Sequence, residues 1–81
     1  VAFKENEMSG EENKTIEVTI NGDKRSVPAG LTVNGLLDHL NVKKAAAVVE
    51  HNRTVLKQRE NDVVMINEGD TLEIVRFVGG G

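Results

Sequence analysis

The sequence predicts an α+β fold, a mixed sheet with one main helix packed on one face, and three observations carry that prediction. Apolar and polar residues alternate through Thr15-Ile16-Glu17-Val18-Thr19-Ile20, and Asn21-Gly22 follows at once. One apolar stripe, Val33, Leu36, Leu37 and Leu40, has helical spacing. The remaining apolar residues fall in short runs between turn signals, which suits strands better than further helices.

Taken in order, residues 1–14 are polar and acidic without an apolar period, so burial cannot offset the entropy of ordering them. They read as a disordered acidic N-terminal arm, for which a natural extension and a cloning remnant around Met8 both fit. From Thr15, three apolar chains share one face of a strand. Asn21 and Gly22 both tolerate φ > 0, as a type I′ turn requires, so residues 23–27 should return antiparallel. Pro28, which has no N–H to donate, ends that strand. After the corner at Ala29-Gly30, Thr32 can cap the helix and Asn41 can stop it in the αL conformation. Gly35 costs the helix about 1 kcal/mol against Ala, which suggests close packing on the sheet. Residues 45–51, rich in Ala and Val, read as a strand rather than a second helix. Asn52-Arg53 turns the chain, residues 54–56 form a short edge strand, and residues 57–62 are a loop or a single helical turn. The signal Asn67-Glu68-Gly69-Asp70 precedes a last strand over residues 71–78. Strand, tight hairpin, strand, helix, strand, short strand and last strand is the β-grasp (ubiquitin-like) order, with the domain over residues 15–78 and a flexible glycine tail over 79–81.

At 81 residues, with 38% hydrophobic and 2% aromatic content, the chain supports one small core, and a large enzyme pocket would consume much of it. A carrier or binding role is therefore expected before an enzyme. Without cysteine there is no disulfide, thiolate metal site or Cys nucleophile. No apolar run approaches a membrane span and no signal peptide opens the sequence, so a cytoplasmic protein without membrane partners is expected. In the arm Lys4 and Lys14 stand against Glu5, Glu7, Glu11 and Glu12, which places most of the net charge of −3 there. The nearly neutral remainder lacks the basic surface and stacking aromatics of a nucleic-acid binder.

The side chains that could carry chemistry each have a plainer reading. His39 falls opposite the apolar stripe, and His51 has no second ligand at metal spacing. Glu60 and Asp62 suit a solvated turn, and Lys43-Lys44 complement the helix dipole. Gly30, Gly35 and Gly69 do not form a phosphate-binding fingerprint. The ending differs: Arg76-Phe77-Val78 followed by Gly79-Gly80-Gly81 puts an unhindered carboxylate on a tether that can thread a narrow channel, because glycine lacks Cβ. A frayed end is the plain alternative. Leu72 and Ile74 share the core parity of the last strand, leaving Val75 and Phe77 on the other face as a candidate docking patch beside the tail.

With the Asn21-Gly22 hairpin, Ala29-Gly30-Leu31-Thr32-Val33 opening the helix, Val48-Val49-Glu50-His51-Asn52-Arg53, the turn Glu68-Gly69-Asp70 and the ending Glu73-Ile74-Val75-Arg76-Phe77-Val78-Gly79-Gly80-Gly81, residues 15–81 resemble the thiamin-biosynthesis sulfur carrier family. The resemblance implies that an ATP-dependent adenylating (E1-like) activating enzyme adenylates the carboxylate of Gly81. Sulfur from a desulfurase-linked relay then displaces AMP, and the thiocarboxylate serves thiazole synthase. Gly79 and Gly80 would thread the partner, no catalytic residue or metal site would lie in this chain, and no cofactor of its own is implied. The acidic arm and the third glycine depart from the usual pattern. The small subunit of molybdopterin synthase, a ubiquitin-like modifier and a β-grasp interaction module are the alternatives. The absence of prolines before the glycines favours thiamin over molybdopterin.

Overall fold

A computed structural model describes residues 14–76. The expectations for residues 1–13, for Phe77 and Val78 and for the glycine tail lie outside the described residues. Strands β1 (Thr15–Ile20) and β2 (Asp23–Pro28) form an antiparallel hairpin in the register Thr15↔Pro28 to Ile20↔Asp23. Its two-residue turn has φ 51° at Asn21 and 89° at Gly22, the positive pair that matches the twist of a hairpin. Hydrogen bonding reaches one residue beyond the ladder, where Ala29 N–H donates to Lys14 O at 3.0 Å.

Helix α1 (Val33–His39) is short, and local signals hold both its ends. The Thr32 hydroxyl accepts from Gly35 N–H at 3.1 Å. At the other end Asn41 takes φ 61°, Asn41 N–H donates to Asp38 O and Val42 N–H to Leu37 O, the paired bonds of a Schellman stop. Seven residues make a marginal helix alone. Burial of Val33, Leu36 and Leu37 against the sheet therefore supplies its stability. The close approach at Gly35 is not to the sheet, as the sequence suggested: a Cβ there would meet Leu31 Cδ2 at 3.2 Å and Thr32 Oγ1 at 3.5 Å, both in the entry to the helix.

The strand expected over residues 45–51 begins two residues later. A 3-10 turn, Lys44–Ala46, occupies its start, closed by Ala46 N–H to Lys43 O at 3.1 Å, and β3 is Ala47–His51. Alanine favours helical backbone and offers little side chain to a pleated surface, so a run of three alanines yields its exposed end to the turn. Asn52 and Arg53, with φ 49° and 74°, turn the chain into β4 (Thr54–Val55), a two-residue edge. A second 3-10 turn, Gln58–Asp62, realises the single helical turn weighed for residues 57–62. The chain then passes the helix start, where Val33 N–H donates to Val64 O and Ile66 N–H to Leu31 O, both at 2.9 Å. Gly69, at φ 84°, turns it into β5 (Thr71–Arg76).

The sheet order is β2-β1-β5-β3-β4, with β5 parallel to β1 and antiparallel to β3. This is the mixed five-stranded β-grasp sheet that the element order predicted. One face carries the core of Val18, Ile20, Val27, Ala47, Val49 and Leu72 beneath α1, closed at one side by Ile66. The last strand is thus central, paired with β1 at its start and with β3 along its whole length to Arg76.

Candidate functional site

The sequence places the candidate chemistry after β5, so the groups that hold β5 define the site. On one edge β3 pairs with it through Ala47↔Arg76, Val48↔Val75, Val49↔Ile74, Glu50↔Glu73 and His51↔Leu72. On the other, β1 pairs only at Thr19↔Thr71 and Ile20↔Leu72, and the Asn21 side chain then bonds Ile74. Val75 is 55% exposed on the face away from α1, beside Val48, while Ile74 is packed against the core. The face expectation for Val75 is therefore met, and Phe77 lies outside the described residues, as do Gly79, Gly80 and Gly81. Glu50 and Glu73 face each other on the same outer surface, so apolar Val48 and Val75 border an acidic pair.

At the opposite end of β5, Asp70 organises the turn. Its Oδ2 lies 2.7 Å from His51 Nε2 and accepts Asn67 N–H at 2.8 Å, and its Oδ1 accepts from Asn52 Nδ2 at 3.2 Å. A carboxylate can only accept, so His51 presents its Nε2–H there. Asn52 Oδ1 completes the knot by accepting Thr71 N–H at 2.9 Å. Burial pushes the Asp70 carboxyl up, but the hydrogen bonds from His51, Asn67 and Asn52, with the charge interaction with His51, hold it below the usual carboxylate range. Sequence reasoning missed this pairing because nineteen positions separate His51 from Asp70. The usable signal was a buried-parity histidine one residue from a turn, which needs a partner.

The other candidates keep their plain readings. His39 is exposed. Glu60 accepts Lys57 N–H at 2.7 Å, Asp62 accepts from Asn34, and Lys44 pairs with exposed Asp38 at 3.3 Å. Among the described residues, no three His, Cys, Asp or Glu side chains gather as metal ligands, and no helix is long and apolar enough to cross a membrane. Within residues 14–76 the geometry collects nothing for covalent chemistry; it holds a central strand between β1 and β3.

Residues 11–81 match the sequence model of the ThiS family. The chain belongs to the ThiS family. Among solved structures it is similar to the thiamine biosynthesis protein ThiS of Geobacter metallireducens, with 35% identity and a TM-score of 0.68 over 82% of this chain and 100% of that one. It is 39% identical over 66 residues to a thiazole synthase of Paramagnetospirillum magneticum, covering 82% of this chain but 20% of that protein. The ThiS-like chain thus spans about a fifth of the length of that relative. A third relative, the uncharacterised protein ycf40 of Porphyra purpurea, is 35% identical over 69 residues and is matched over 97% of its length.

Proposed function

We propose that this ThiS-family chain is a sulfur carrier for thiamin biosynthesis, with Gly81 as the residue that is adenylated and converted to a thiocarboxylate. The observation that carries the reading is the family match over residues 11–81, which takes in the glycine tail as well as the β-grasp domain. The chemistry suits a chain without cysteine. A carboxylate is a poor electrophile, its mixed anhydride with AMP is a good one, and sulfur at the sulfide level displaces AMP to leave a nucleophilic thiocarboxylate. Catalysis then belongs to partners, and this chain supplies recognition and delivery.

The partners are an ATP-dependent adenylating enzyme, a desulfurase-linked sulfur relay and a thiazole synthase. Support for the last comes from the relative named thiazole synthase, one fifth of which matches this chain. The docking patch is the outer face of the sheet at Val48 and Val75, continued by Phe77 in the sequence. An uncovered apolar pair beside the tail is unfavourable for an isolated monomer and suits a partner surface. Gly79 and Gly80 thread the partner's channel.

A loading series tests the tail. With activating enzyme, ATP and sulfur donor, removal of Gly81 should slow loading by shortening the reach, and residues appended after Gly81 should abolish it. Gly80→Val should impede threading through its branched side chain while the thermal midpoint stays unchanged. Equal loading of all three variants would contradict the reading. Covalent adducts on lysines of other proteins, without a thiocarboxylate, would replace it with a modifier.

A further inference from the structure

Asn21 does more than turn the hairpin. The chain reverses into β2 after Ile20, so the backbone of β1 can follow β5 no further than the bond from Asn21 N–H to Leu72 O, at 2.9 Å. The next outward-facing groups on that edge belong to Ile74, and one side chain takes both. Ile74 N–H donates to Asn21 Oδ1 at 2.7 Å, and Asn21 Nδ2 donates to Ile74 O at 3.3 Å. A carboxamide can present a donor and an acceptor together, as a peptide edge does. Asparagine also tolerates the φ of 51° that the turn imposes. The turn residue therefore extends the sheet by one step, and Ile74 is the last described position at which β5 is tied on both edges.

We propose that Asn21 is a positioning residue for carboxylate loading: its amide ties the edge of β5 at Ile74, two residues before the end of the strand that precedes the tail. The inference rests on the carrier reading above. An activating enzyme that meets an ordered strand end does not have to order it on binding, whereas a frayed end adds that entropy to the cost of docking. The effect falls on KM for the carrier; once the tail is seated, the enzyme's channel sets the geometry of the reacting carboxylate and kcat is unaffected.

The test uses the full chain with Asn21→Gly, which keeps the positive φ and deletes both bonds, and Asn21→Asp, which keeps an acceptor but turns a second oxygen toward Ile74 O. Thr32→Ala, which loses the helix cap far from β5, controls for lowered stability. Amide exchange at Ile74 should accelerate roughly tenfold in the Gly variant. The KM of adenylation, followed by pyrophosphate release, should rise about fivefold in both Asn21 variants at unchanged kcat, with Thr32→Ala at the wild-type KM. Unchanged Ile74 exchange would overturn the clamp. Faster exchange at an unchanged KM, or an equal KM rise in Thr32→Ala, would overturn the positioning role. A wild-type chain that is never adenylated would instead bring down the carrier reading, and the positioning role with it, while the exchange result still reported on the clamp.

Discussion

Asp70 shows how one side chain can decide a turn and its pH response. Its carboxylate gathers His51, Asn52 and the Asn67 amide, and it is nearly buried while doing so. Asp70→Asn keeps the shape but removes the charge from three hydrogen bonds, and should cost about 1.5–3 kcal/mol at neutral pH. A carboxyl whose native pKa lies below its unfolded value contributes stability that is complete above the unfolded value and is lost as pH falls through the native one. Denaturation midpoints of the wild type should therefore decline below about pH 4, and the gap to Asp70→Asn should close there. Parallel curves for the two proteins would contradict this account. Neither the His51–Asp70 pair nor the bond from Asn21 to Ile74 was legible in the sequence, since both join distant positions. The local roles of the same neighbourhood were: Asn21-Gly22 reads as a hairpin, and Asn67 to Asp70 as a turn, because their signals lie within four residues.

Among the elements, α1 and β5 carry the testable consequences. The Thr32 cap and the Asn41 stop were readable because helix ends are written in adjacent residues. The split of residues 45–51 into a 3-10 turn and a strand was not, because alanine carries no side-chain period. At Gly35, alanine would gain about 1 kcal/mol of helix propensity. The closest contact it meets is the tip of the half-buried Leu31 side chain, 3.2 Å away, which has to give by a few tenths of an ångström. Gly35→Ala should thus raise the thermal midpoint by a few degrees or fewer, about what a gain below 1 kcal/mol yields in a domain this small; a clear fall would show that Leu31 is fixed. On β5, Val75→Thr keeps the branched strand residue but removes apolar surface. Stability should stay within about 0.5 kcal/mol while affinity for the activating enzyme falls by about tenfold, measured by titration calorimetry. Unchanged affinity would remove Val75 from the docking patch.

For the molecule as a whole, the decisive feature is that the last strand is the middle strand. The element order and a mixed sheet were legible, but which strands form the parallel pair, β1 with β5, was not, since partners so far apart leave no turn between them. That pairing makes the described domain depend on β5, which lies at the centre of the sheet. Lys14, read from the sequence as the end of the arm, is bonded to Ala29; removal of the residues before it, 1–13, should leave the thermal midpoint and the loading rate nearly unchanged, and a large loss of either would make the arm part of the domain. Whether Gly81 carries sulfur is decided by incubating the full chain with its activating enzyme, ATP and a sulfur donor, then measuring the intact mass and the fragment that contains Gly81. The account predicts replacement of one oxygen by sulfur, confined to the Gly81 carboxylate; an unchanged mass with an enzyme proven active on another carrier, or sulfur located elsewhere in the chain, would contradict it.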